Sequence, residues 1–260
     1  MSSQSITALE EVVVRNKVDF SKILKKIKSK LNEKSDTVGV YYNLKMNLLQ
    51  DEKTLIDIDD TLQLKMKSMG CLSKLGFSKK YANKMESLIA EKFNTFKYRD
   101  SPLHWIAEFP LRKNLNVSKL DFLNNLKEYR YELVDENSME NGLVFVSDSL
   151  YSGKMVYNKQ SKELVSIIYE NVTPYRFYNI VAVNARKYDV EQSNWKYLKE
   201  KVILKFSNKN PNVIETLSIE ETIDNFNSKQ FNKKGEVEFS LLNDYKSIFK
   251  LTRLTDSIKG

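Results

Sequence analysis

Few residues in this chain could do acid–base, nucleophilic or metal chemistry, and their number and spacing exclude most such chemistry. One histidine, His104, and one cysteine, Cys71, occur in 260 residues. A metal site with two imidazole ligands is therefore impossible, and any serine or cysteine nucleophile would depend on His104 alone. His104 stands in Ser101-Pro-Leu-His-Trp105 with no triad motif near it, and reads as a packing or surface residue. Cys71, between Gly70 and Leu72, reads as a small buried apolar side chain. No Gly-x4-Gly-Lys-Ser/Thr loop and no Gly-x-Gly-x-x-Gly turn is present, and the seven glycines offer little material for one. No metal site and no cofactor is expected. The carboxylates Asp57, Asp59 and Asp60, in Leu55-Ile-Asp-Ile-Asp-Asp-Thr-Leu62, keep a hydrolytic reading open.

That octapeptide resembles the first motif of the haloacid-dehalogenase-like phosphatases, a hydrophobic run followed by Asp-x-Asp-x-Thr. The resemblance implies Asp57 as the nucleophile on phosphorus and Asp59 as the acid that protonates the leaving group. Leu143-Val-Phe-Val-Ser147 resembles the family's later strand-plus-serine motif. The surroundings depart from the family. Its first strand is parallel, central and apolar on both faces, whereas here a period of two runs on through Leu64 and Met66. No later acidic pair for magnesium follows. The same aspartates read equally as the solvent face of a hairpin, and the chain is expected not to be an enzyme.

Basic and aromatic residues carry the leading expectation. Lysine and arginine exceed aspartate and glutamate by eight, an excess that draws phosphates and anionic surfaces. Much of it lies between Arg15 and Lys34 and between Lys65 and Arg99. Rings alternate with cations in Lys97-Tyr-Arg99, Tyr129-Arg-Tyr131, Tyr175-Arg-Phe-Tyr178, Arg186-Lys-Tyr188 and Trp195-Lys-Tyr197. Stacking platforms beside cations are what a single-stranded nucleic acid needs. A half-buried sheet that alternates core rings with solvated lysines gives the same pattern. The candidate nucleic-acid contacts are Lys22, Lys25, Lys26, Lys28, Lys79, Lys80, Lys84, Tyr98, Arg99, Arg130, Tyr131, Arg176, Tyr178, Arg186, Lys187 and Lys196.

The elements that must position these residues follow from periodicity. Residues 5–17 and 19–34 read as two helices, the second with Phe20, Ile23, Leu24, Ile27 and Leu31 on one face and lysines around the other. Alternation from Val38 to Leu48 and from Ile56 to Met66 predicts a long hairpin of 38–49 with 54–67. Ser78 is placed to cap a helix running to about Phe96, and Ser118 with Asp121 resembles a capping box for another. Beyond Asn141-Gly142, strands are expected at 143–147, 154–158, 163–169, 175–185, 199–206 and 212–217. Ser218 with Glu221 suggests a short helix to Phe226, and 241–251 a last one. The expected fold class is α+β: N-terminal helices, a long β-hairpin and helices, then an antiparallel β-meander with a C-terminal helix. The expected division is a basic helical segment 1–36, a hairpin-plus-helical domain 37–136 and a sheet domain 137–260, the last two able to pack as one.

No segment approaches the roughly 18 apolar residues of a membrane span, no secretory leader is visible at Met1, and one cysteine excludes an internal disulfide. A cytoplasmic setting is expected. Abundant lysine, asparagine and isoleucine suggest an AT-rich genome, such as that of a virus or mobile element. The functional expectation is thus a non-catalytic nucleic-acid-binding protein with a coat, movement, replication or regulatory role. The alternatives are a structural subunit of a phage or viral particle that assembles as a homo-oligomer, and thirdly the phosphatase.

Overall fold

A computed structural model describes residues 18–33, 39–68, 70–93, 106–184, 189–207, 213–232 and 234–254. Its framework is an antiparallel sheet of eleven strands: β1 (Val40–Gln50), β2 (Lys53–Ser68), β3 (Cys71–Phe77), β4 (Arg130–Asp135), β5 (Glu140–Val146), β6 (Tyr151–Asn158), β7 (Leu164–Asn171), β8 (Tyr175–Asn184), β9 (Asp189–Phe206), β10 (Ile214–Phe231) and β11 (Val237–Arg253). They lie in the order β3-β2-β1-β11-β10-β9-β7-β6-β5-β4, with β8 paired to β9. β9 is long enough to serve two neighbours, β8 along its first half and β7 along Lys201 to Lys205.

The α+β expectation is overturned. Strands hold 59% of the described residues and helices 21%, which makes this a β-rich fold. The short helix expected from Ser218 to Phe226 is part of β10, and the C-terminal helix expected at 241–251 is part of β11. The helix expected from Ser118 is three single 3-10 turns, Val117–Lys119, Asp121–Leu123 and Leu126–Glu128. Two strands, β3 and β4, had no counterpart in the expectation. The helix expected at 5–17 lies outside the described residues.

The hairpin of β1 with β2 is present, with Tyr42 opposite Leu62 and Met46 opposite Ile58. Because β1 also pairs with β11, through Leu44 opposite Leu251, the sheet joins the segments on either side of residues 136–142. Three helices cover one face. α1 (Phe20–Leu31) buries Leu24, Ile27 and Leu31, and its Asp19 cap accepts from the Lys22 amide at 3.0 Å. α2 (Lys79–Phe93) starts on Ser78, whose Oγ accepts from the Tyr81 amide at 3.0 Å. The same hydroxyl donates to Asp60, the one acid among the inward-facing positions of β2. Asp60 therefore ties the hairpin to the cap of α2. α3 (Phe109–Leu115) carries Pro110 in its first turn, where a missing N–H costs nothing.

Register fixes two faces. Inward, one row across the sheet reads Ile58, Met46, Phe249, Ile219, Val202, Tyr169, Gly153, Phe145 and Tyr131. Outward, an adjacent row reads Asp59, Lys45, Lys250, Ser218, Ile203, Ile168, Lys154 and Val144. The inward row is core and the outward row is mostly polar.

Candidate functional site

The next inward row breaks the apolar rule. Leu48 is followed by Ser247 on β11, Glu221 on β10 and Glu200 on β9, each directly opposite the next. Both glutamates are fully buried. Two carboxylates on facing β-pair positions repel each other strongly when water is excluded, so the site must supply a cation or hold one of them protonated.

It does both. α3 directs Lys113 onto Glu200, with its ammonium 2.6 and 2.7 Å from the two carboxylate oxygens. The same ammonium donates to the Tyr151 and Tyr175 hydroxyls at 3.1 and 3.0 Å, and lies 5.4 to 5.6 Å from the ring centres of Tyr151, Tyr175 and Tyr197. Tyr175 and Tyr151 donate in turn to Glu200 Oε2 at 2.7 and 3.0 Å. The Glu200 amide donates to Asn171 Oδ1 at 2.6 Å. Asn114, next to Lys113, is fully buried, donates to the Pro110 carbonyl at 2.9 Å and accepts from the Tyr169 hydroxyl.

Burial alone would lower the Lys113 pKa, but the Glu200 carboxylate reverses that, with smaller pulls from Tyr151 and Glu221, and leaves it above the ordinary lysine value. Burial raises Glu200, and Lys113 with the two phenols draws it below the usual carboxylate value. Glu221 is the member left over. Burial and then the charge of Glu200 push it up to about 8, against weaker opposing pulls from Lys113 and Ser247. Its Oε2 accepts from Ser247 at 3.4 Å, and its Oε1 has no partner among the described residues. At neutral pH the cluster therefore holds one anion, one cation and one neutral acid.

Beside this cluster opens a cleft of about 550 Å³, lined by Phe109, Arg112, Lys113, Asn116, Lys119, Leu120, Asp121, Phe122, Tyr151 and Tyr169. Its exposed lining is mostly apolar. Lys119 is exposed and Arg112 half-exposed, while Asp121 is occupied by the Tyr129 hydroxyl at 2.7 Å and by Asn125. The rim thus carries two cations, Arg112, whose guanidinium pairs with Glu108 at 3.4 Å, and Lys119, together with the carboxylate of Asp121. Neither Glu200 nor Glu221 lines the cleft.

The residues expected from sequence lie elsewhere and are not brought together as a group. Lys22, Lys25 and Lys26 are exposed on α1, and Lys28 is bonded to Asn124. Lys79, Lys80 and Lys84 are exposed on α2, with Lys84 donating to the Asp57 carbonyl. Arg130 is exposed and paired with Asp148 at 2.6 Å. Tyr131 faces inward, donates to the Phe122 carbonyl at 2.7 Å and packs on Phe20. Arg176 and Lys196 are direct cross-strand neighbours. The Tyr178 side chain, Tyr98, Arg99, His104, Arg186 and Lys187 lie outside what is described. Asp57 and Asp59 are exposed on a strand held between antiparallel neighbours, and Asp59 pairs with Lys45 at 3.4 Å. The rings Tyr129, Tyr175, Trp195 and Tyr197 belong to the core or pack against it.

The buried cluster was missed, although one signal was available: an acid at an inward position of each of two strands.

No protein-family model matches the chain, and no curated protein matches it. Among solved structures, the complex structure of Pseudomonas aeruginosa MucA/MucB aligns over 89% of this chain and 93% of that one, with a TM-score of 0.31 and 7% identity. A likeness at that level carries no argument about fold or function. No described helix is long and apolar enough to cross a membrane.

Proposed function

We propose that this is a non-catalytic binding protein that holds a small amphipathic anion in the cleft under α3. The observation that carries the reading is the cleft itself: about 550 Å³, walled by Phe109, Leu120, Phe122, Tyr151 and Tyr169 and rimmed by Arg112 and Lys119. Ligand sites are typically clefts of roughly 300–1,000 Å³ with apolar walls and a few convergent polar groups. An apolar body would lie on Phe109 and Tyr151, the lining rings that are not fully buried, and an anionic head would meet Lys119 and the part of the Arg112 guanidinium that Glu108 leaves open. Lys113 does not supply a nucleophile, because Glu200 and two phenols hold it as an ammonium ion. The cluster acts as a clamp that fixes α3, and with it the cleft wall, to β9.

The nucleic-acid reading loses much of its stacking part, since six of the expected rings, Tyr129, Tyr131, Tyr175, Phe177, Trp195 and Tyr197, belong to the core or pack against it. What supports it is cationic only: the exposed lysines of α1 and α2, and Arg176 with Lys196 on the outer face of the sheet.

The test is calorimetric titration of the whole chain with dodecanoate and, separately, with dodecylamine. Saturable binding of the carboxylate, weakened at least tenfold by Arg112→Glu with Lys119→Glu, is expected, and the amine should bind far more weakly. Equal binding of the two amphiphiles, or no saturable binding of dodecanoate, would overturn the proposal.

A further inference from the structure

The outward face of β9 carries a line of cations that the cleft does not use. Lys196, Lys199, Lys201 and Lys205 all point away from the core, the irregular register near Lys199 keeping Lys196 and Lys199 on one side. At roughly 3.3 Å per residue the line is about 30 Å long. Arg176 of β8 sits directly opposite Lys196, and together they wall a polar cleft of about 430 Å³ with Asn194, Asn225, Asn227 and Asp224. Two strands away, β11 presents Lys246 and Lys250, and Lys250 faces Lys45 of β1. Between the rails β10 offers Thr216, Ser218 and Thr222. Two strand spacings put the rails about 10 Å apart.

Six carboxylates share this face, among them Asp57 on β2 and Asp244 on β11, both exposed. Glu220 is held by Lys199 at 3.1 Å and Lys246 at 3.9 Å, and Asp59 by Lys45. Glu170 and Asp224 stand opposite Lys201 and Lys196. Against these six stand eight cations, an excess of two, and Lys201, Lys205 and Lys250 make no ion pair with any described residue.

We propose that this face binds the phosphate backbone of a single-stranded nucleic acid, laid along β9 between the two lysine rails over a floor of hydroxyls. Charge complementarity selects an anion, and the linear course of the cations selects a chain over a flat surface. Among the described residues the exposed ring on this face is Tyr41, at the end of β1, so recognition is mainly by phosphate and hydroxyl contacts and independent of sequence.

The experiment is fluorescence anisotropy of a labelled twenty-residue oligo-dT against the whole chain at 50 and 200 mM salt. About three released counterions, one for each of these unpaired lysines, give a slope near −2 for a single strand, a loss of roughly twentyfold between those conditions. Lys201→Glu with Lys205→Glu and Lys250→Glu should weaken binding at 50 mM at least tenfold and flatten the slope. Lys22→Glu with Lys25→Glu and Lys26→Glu, on α1, should change neither, and thermal melts of both triple variants check that they are folded. The proposal is overturned if oligo-dT does not bind at 50 mM, if the folded β9/β11 variant binds like the parent, or if phosphatidylglycerol vesicles displace the oligonucleotide at equal phosphate concentration. Dodecanoate titration of the β9/β11 variant should match the parent, so failure here is distinct from failure of the cleft.

Discussion

At the residue scale, Glu221 is the group with the most to reveal. Its carboxyl is raised to about 8 in the fold from an ordinary 4.5. The native state therefore keeps a proton that the unfolded chain has released, and its contribution to stability is fully present below about pH 4.5 and lost as pH rises toward 8. The slope is about −1.4 kcal/mol per pH unit at most. Glu200, drawn below its usual value, acts in the opposite sense: its contribution is present above the ordinary carboxylate value and lost as pH falls through the depressed one. In urea unfolding at pH 5, 6.5 and 8, Glu221→Gln should gain on the parent steadily with pH. Parallel curves would show that Glu221 is already ionised. Lys113→Met leaves Glu200 buried without its cation and should cost about 3–5 kcal/mol, while adding Glu200→Gln should restore much of that. If the double variant is no more stable than the single one, the pair is not coupled in the way the distances indicate.

At the element scale, the same polar residues explain which strands were legible. β1 and β2 alternate cleanly apart from Asp60, and their hairpin reads directly from Val40 to Met66. In β10 the inward positions are Leu217, Ile219, Glu221 and Ile223, so the acid interrupts the period and pairs with Ser218 to imitate a capping box. In β11 the inward positions are Tyr245, Ser247, Phe249 and Leu251. With Ser247 polar, the remaining Leu241, Leu242, Tyr245, Ile248 and Phe249 fall at helical spacing. Ser247 and Glu221 touch each other. The site thus disguised the strands that build it. An irregular register between Ile223 and Phe226 also moves the inward set from odd to even numbers, which no single-period reading follows. On β6, Gly153 is required by packing: an added Cβ would collide with the Ile168 carbonyl oxygen and lie 2.8 Å from the Phe145 ring. Gly153→Ala should destabilise by about 1–3 kcal/mol, seen as a lower urea midpoint. An unchanged midpoint would mean that β6 and β7 separate more readily than their register suggests.

At the scale of the whole molecule, one sheet carries two chemistries on opposite faces. The inner face, covered by helices, holds the rings, the buried charge cluster and the cleft, whereas the outer face holds lysines and hydroxyls. The alternation of rings and cations was visible in the sequence, but their division between faces follows from strand pairing, because successive residues point to opposite sides. Lys196 faces outward for the same reason that its neighbours Trp195 and Tyr197 are buried. The central claim concerns the inner face, and the most direct measurement is photolabelling with a diazirine-bearing twelve-carbon carboxylate, mapped by mass spectrometry. The account predicts adducts concentrated between Phe109 and Lys119 and on Tyr151, suppressed by excess dodecanoate. Label spread over the outer strands, or label that excess dodecanoate does not displace, would contradict it.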